Sequence, residues 1–396
     1  MALIPVAEPR PAGPPPRGFA LWALGFRPFY LLAAAFGAVA VPLWVLALAG
    51  RFPLPLPGMW WHAHEMLFGF AAAVIVGFLY TAGRNWTGLP TPSGLPLAAL
   101  AALWCAGRLG LLFDGGPVAA WVDAAFLPAA AIPLAMVLWR AGSRRNYGVL
   151  LILLLLASAN ALFHLARLGA VVLDPLQALH LALGLVVLLE TVIGGRVVPS
   201  FTAAALRGVT QWRDVRLDIA AIAAGAAALT GFALAPQAGW VPAVCLLAAA
   251  LHALRWAGWN PWATRGNPLL WILHLSYAWI PLGLLLLGLS ALEVVPRPAG
   301  IHALGIGATG GLILGMITRT ALGHTGQWLL AGRIETAAYA LLHLAALLRV
   351  VSAAALPAAT VLGVHVAATC WSLALLLYLW RYVPLLFRPR ADGRPG

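Results

Sequence analysis

The chain has 396 residues, of which 63% are hydrophobic and only 9% charged, and its mean hydropathy is +0.93. That leaves too little polar material to cover a soluble domain of this length, so the composition describes a polytopic membrane protein. The net charge of +13 comes from 24 basic residues, all arginine, spread over short loops rather than gathered on one face, which argues against nucleic acid as a partner.

The chain opens on a proline-rich tail, residues 1–26, that lacks the basic–apolar–cleavage order of a signal peptide and is expected in the cytoplasm. Apolar runs of bilayer-spanning length then fall near 28–49, 59–82, 95–113, 117–139, 148–170, 176–199, 217–235, 239–257, 268–290, 300–320, 335–354 and 358–383. Turn signals separate them, among them 53–58, 90–94, 114–117 and 296–298. No run alternates with period two, which excludes a barrel. The organisation expected is one membrane domain over 27–383, followed by a basic cytoplasmic tail over 384–396. Cys105, Cys245 and Cys370 lie singly inside apolar runs and read as small buried hydrophobes.

Orientation follows from the arginines. With both termini in the cytoplasm, all but Arg51, Arg108, Arg167, Arg297 and Arg349 fall on the cytoplasmic side, a strong positive-inside bias.

An internal repeat outweighs any single motif. Helices 2, 6 and 10 each open near a histidine (His62 and His64, His180, His302), about 120 residues apart. The same helices end near an arginine: Arg84, Arg196 and Arg319. Helices 4, 8 and 12 end in Trp139-Arg140, Arg255-Trp256 and Trp380-Arg381. A four-helix unit used three times, near 27–140, 147–257 and 268–383, accounts for this better than two halves of six, the plan of the commonest twelve-helix transporters.

Histidine inside a membrane segment is expensive and usually functional. Helices 2, 6 and 10 run in one direction, so their first-turn histidines can meet at one height and share a metal or haem, the alternative for each being hydrogen-bonded packing. His62 and His64 are about 200° apart on a helix and cannot both face one centre; Glu65 shares the face of His62 and is placed to orient it. Glu190, about 15 Å deeper than His180 along helix 6, reads as a proton-path residue or the partner of an arginine. Asp123 reads as a cap or pair near the outer surface. Asn160, His164 and Arg167 share one face of helix 5. Arg167 and Arg349 either hold haem propionates or snorkel to lipid phosphates. The glycines of helix 10, Gly305 to Gly315, make it thin enough for close packing.

Several stretches together carry a family resemblance: Gly25-Phe26-Arg27-Pro28-Phe29-Tyr30, Trp61-His62-Ala63-His64-Glu65-Met66, Asn85-Trp86-Thr87-Gly88, His274-Leu275-Ser276-Tyr277-Ala278-Trp279 and Met316 to Gly326. They resemble the NnrS family, bacterial inner-membrane proteins of the nitric oxide response, over nearly the whole chain. The resemblance implies haem and copper, an association with denitrification, and protection from nitrosative stress. The haem candidates are then His64, His302, His62, Arg27, Arg167, Arg319, His324 and His274; the copper candidates are His180, His164 and His62. With no CxxCH attachment motif in the chain, the haem implied is non-covalent haem b.

A second likeness is topological. Haem-copper oxidase subunit I and nitric oxide reductases also carry twelve helices in three arcs of four, with ligands on helices 2, 6 and 10. On that analogy His64 and His302 resemble the low-spin haem pair and His180 a copper ligand. This chain departs from the pattern: helix 7 has no histidine and helix 6 no His-Pro-Glu run. The expectation is an all-α membrane protein that binds or reduces nitric oxide, with a quinol or cytochrome as electron donor where turnover occurs. The alternative is a secondary transporter of a small solute, a metal or haem.

Overall fold

The computed structural model describes residues 18–393; the proline-rich segment 1–17 and residues 394–396 lie outside the described residues. The described chain is helical throughout, with twelve helices long and apolar enough to cross a membrane. They are α1 (Phe26–Leu48), α2 (Gly58–Thr87), α3 (Gly94–Phe113), α4 (Pro117–Arg140), α5 (Arg144–Arg167), α6 (Pro175–Ala205), α7 (Val215–Leu234), α8 (Val241–Gly258), α9 (Pro268–Ala291), α10 (Arg297–His324), α11 (Arg333–Ala354) and α12 (Thr360–Phe387). It is a multi-pass membrane protein, as the composition requires.

Of the helices that outrun the sequence expectation, two do so by crossing a proline. α6 continues past Pro199 to Ala205, and α12 past Pro384 to Phe387. A proline inside a membrane helix is tolerated when the carbonyl it strips finds another donor. For Pro199 that carbonyl is Gly195, which accepts from Arg213 Nη2 at 3.3 Å. One residue on, the Ser200 hydroxyl closes the helix by donating to Arg196 O at 2.6 Å.

α2 and α10 share a feature that hydropathy does not report. Each contains π-helical turns, Glu65–Ala71 and Ala303–Gly310, and each π segment starts at the residue after the histidine, His64 or His302. Single π turns inside α-helices recur at functional sites because they re-aim side chains.

The helices gather into two compact units. The first comprises 18–182 with Thr320–Gln327 and the last turns of α12; the second comprises Leu183–Arg319 and Trp328–Leu377. In the first unit α3 and α4 form a tight hairpin. A Cβ on Gly107 would stand 3.1 Å from the Asp123 backbone, and Gly110 is pressed as closely on Ala119. The same unit ties the end of α12 to the start of α1. Ala20 N donates to Phe387 O at 2.9 Å, and Arg27 Nη1 donates to Leu386 O at 2.9 Å and Arg388 O at 2.8 Å. Arg27 is fully buried and acts on carbonyls that a helix C-terminus leaves without intrahelical partners.

In the second unit, α7, α8 and α9 close around Arg255. Its Nε donates to Asp218 at 2.6 Å, and its Nη1 donates to Thr191 O at 2.9 Å and to the Tyr277 hydroxyl at 2.8 Å. The Tyr277 hydroxyl, already accepting from Arg255, gives its own hydrogen to His252 Nδ1 at 2.8 Å.

Candidate metal centre

In the first unit the polar groups of α2, α3, α4 and α5 converge on Asp123, which is 2% exposed in an otherwise apolar span. Its Oδ2 accepts from Asn160 Nδ2 at 2.8 Å and from His164 Nε2 at 2.8 Å, with His64 Nε2 at 3.2 Å; its Oδ1 pairs with Arg108. Arg108 Nη1 also donates to Glu65 Oε2 at 2.8 Å, and Glu65 Oε1 accepts from His64 Nδ1 at 3.0 Å. His64 and Glu65 are both fully buried.

Donor and acceptor identities fix the hydrogens of this network. An arginine nitrogen only donates, so Arg167 Nε, 2.9 Å from His164 Nδ1, makes that nitrogen the acceptor. The His164 hydrogen therefore sits on Nε2 and points at Asp123. Asn160 turns its Nδ2 to the carboxylate, so its Oδ1 faces His64 Nε2 at 2.9 Å and accepts. Both nitrogens of His64 therefore face oxygen atoms, Glu65 Oε1 and Asn160 Oδ1. The two buried carboxylates are met by the guanidinium of Arg108, which pairs with both, and Arg167 adds a second guanidinium through His164.

The three nitrogen and oxygen atoms offered by His64, Asp123 and His164 all lie within 4.8 Å of one another. Two imidazoles and a carboxylate suit a first-row transition metal. Glu65 on the far nitrogen of His64 is the outer partner that such a ligand needs to fix its ring. Arg167 works against the same role for His164. It occupies the nitrogen that must carry the hydrogen before Nε2 can bind an ion, so loading requires Arg167 to leave His164 for its other partner, Gly115 O at 2.7 Å.

Comparison with protein families gives one match, to the model of the NnrS protein, over residues 20–390. The chain belongs to the NnrS family. No curated protein matches it. Family membership makes it a membrane protein of the nitric oxide response.

The cluster takes in His64, Glu65, His164 and Arg167 from the expected set. The shared face of Asn160, His164 and Arg167 on α5 points into it. Glu65 departs from expectation: it binds His64, not His62. The π turns begin at Glu65 and carry its carboxylate to Nδ1 of the residue before it. His62 faces elsewhere, its ring stacked on Trp44 at 4.0 Å. Asp123 is no surface cap but the hub, and Arg108 was not anticipated. Both were legible from hairpin register: Arg108 is seven residues before Gly115 and Asp123 eight after it, so an antiparallel α3–α4 pair brings them level.

The remaining candidates are dispersed. His180 is half-buried in the first turns of α6 and is not part of the Asp123 donor set. Arg27 is committed to the α12 carbonyls, and the ring of His324 packs on Phe26 at 5.6 Å. In the second unit His302 bonds Pro298 O through Nδ1 at 2.7 Å, so its Nε2 is the basic nitrogen. His274 contacts Thr202 through Nε2 at 2.8 Å, and its buried Nδ1 has no hydrogen-bond partner. Arg319 stacks on Phe201 at 3.9 Å. Glu190 is treated below.

Proposed function

We propose that this NnrS-family protein is a haem- and copper-containing protein of the bacterial inner membrane, with both termini cytoplasmic, that binds nitric oxide or reduces it and so protects against nitrosative stress. The observation that carries the reading is the buried His64–Asp123–His164 donor set with Glu65 behind His64. These three residues would hold copper.

His64 has both nitrogens engaged inside this cluster, which suits the copper set better than an axial bond to haem. His302, whose Nδ1 is anchored to a backbone carbonyl, presents the tautomer that an axial ligand needs. A reduced metal with an open coordination position supplies the binding of nitric oxide. The protein supplies a dry surround, a fixed ring at His64 and a fixed carboxylate at Asp123. A quinol or cytochrome is the class of electron donor that turnover would require.

The test is copper and iron counted on the purified full chain, with reduced-minus-oxidised absorption spectra before and after nitric oxide. Copper retained by the parent protein and lost in Asp123→Asn and His64→Gln, with haem bands that shift on adding the gas, is the expected result. Copper content unchanged in both variants overturns the assignment of the site, and a colourless, metal-free parent protein overturns the function.

A further inference from the structure

We propose that Glu190 and Thr309 form a buried proton-binding site, in which Glu190 is held as a carboxylic acid beside a hydroxyl that the π turns of α10 set free. It is separate from the copper reading and shares no residue with that cluster.

The inference starts from the threonines. In a membrane helix a threonine hydroxyl ordinarily donates back to the carbonyl four residues earlier. The buried threonines Thr81, Thr202, Thr318 and Thr325 do so, to Gly77, Val198, Leu314 and Ala321, at 2.7–2.9 Å. Thr309 does not. It is 4% exposed, lies within the π turns Ala303–Gly310, and its Oγ1 is buried without a hydrogen-bond partner among the described residues. The wider π turn has moved its usual acceptor out of line.

Beside that hydroxyl lies the carboxyl of Glu190 on α6. Glu190 Oε2 is likewise buried without a hydrogen-bond partner among the described residues, where Thr309 is the polar side chain that bears on the group and no ion pair reaches it. The contrast with Glu65 is direct, since both of that residue's oxygens are partnered and an arginine balances it. An ionised carboxylate in an apolar span without a countercharge is far more costly than the acid. The acid also resolves both unpartnered oxygens: its O–H donates to Thr309, or the Thr309 hydroxyl donates to its carbonyl, after a small shift. A protonatable carboxyl and a hydroxyl beside it are the parts of a site that holds a proton.

The probe is N,N′-dicyclohexylcarbodiimide on the detergent-purified full chain, with adducts mapped by mass spectrometry. The reagent adds across the O–H of a carboxylic acid in apolar surroundings and rearranges to a stable N-acylurea. The expected result is an adduct on Glu190 that forms more slowly as the solution is made alkaline and is absent in Glu190→Gln. Infrared spectra provide the second readout. An acid carbonyl band present at neutral pH should vanish in Glu190→Gln, and in Thr309→Val it should persist but move to higher wavenumber as its hydrogen bond is lost. The proposal is overturned if Glu190 is unlabelled and its substitution removes carboxylate bands instead. It is equally overturned if sodium at fixed pH blocks labelling and abolishes the acid band, because the site then belongs to a metal cation.

Discussion

The two π segments begin one residue after a histidine, yet their polar groups are treated in opposite ways. In α2 the π turns are saturated: Gly69 O accepts from Trp104 Nε1 at 3.1 Å, and Glu65 is held by Arg108 and His64. In α10 Thr309 Oγ1 and the Glu190 Oε2 on which it bears both lack a hydrogen-bond partner among the described residues. The same backbone device thus closes one network and opens another. A set whose two carboxylates share one guanidinium holds its geometry through those ion pairs. An unsaturated pair gives its protein groups no competing bonds, so a proton or a water is the natural third member.

Breaking the saturated side should have the largest effect. Arg108→Leu removes the cation that pairs with both Glu65 and Asp123 and leaves two buried carboxylates without it. A destabilisation of about 3–5 kcal/mol is expected, read as a large fall in the thermal midpoint of the detergent-solubilised protein by fluorescence-detected size exclusion. A variant as stable as the parent would mean that the cluster carries little of the packing of the first unit.

A smaller effect should come from the glycine that lets this cluster close. A Cβ on Gly69 would stand 3.1 Å from both Arg108 Nη1 and Glu65 Oε2 and press on Phe36. Gly69→Val should destabilise by about 1–3 kcal/mol through overpacking and lower copper retention along with it. Full copper retention together with lost stability would separate the packing of α2 from the geometry of the donor set.

Some of this was legible in the sequence and some was not. Twelve spans, their order and the inward face of α5 follow from apolar length and from spacings of three and four. The ion pairs were also readable, through hairpin register. Arg108 and Asp123 stand level across the α3–α4 turn. Asp218, 16 residues before the end of α7 at Leu234, stands level with Arg255, 14 residues after the start of α8 at Val241. What spacing does not encode is a π turn. It shifts every later side chain relative to α periodicity, so spacing alone does not mark Thr309. The helix extensions past Pro199 and Pro384 were hidden for a related reason. A proline reads as a stop until a donor from elsewhere in the chain, such as Arg213, is known to satisfy the freed carbonyl.

The finest test of the comparison uses two threonines of the second unit that differ only in what their hydroxyls do. Thr202 donates to Val198 O and lies 2.8 Å from His274 Nε2, whose ring has no other hydrogen-bond partner. Thr202→Val strips that nitrogen of its contact in a buried place, and a loss of about 1–3 kcal/mol is expected. Thr309→Val removes a hydroxyl whose one contact is the Glu190 acid and replaces it with a methyl of similar size, so the thermal midpoint should move by no more than about 1 kcal/mol equivalent. The same valine should shift the Glu190 acid band, because the interaction it deletes is with the bound proton and not with the fold. A Thr309→Val protein destabilised as much as Thr202→Val would show that the hydroxyl is already bonded in the folded chain, and the distinction between the two π segments would fall with it.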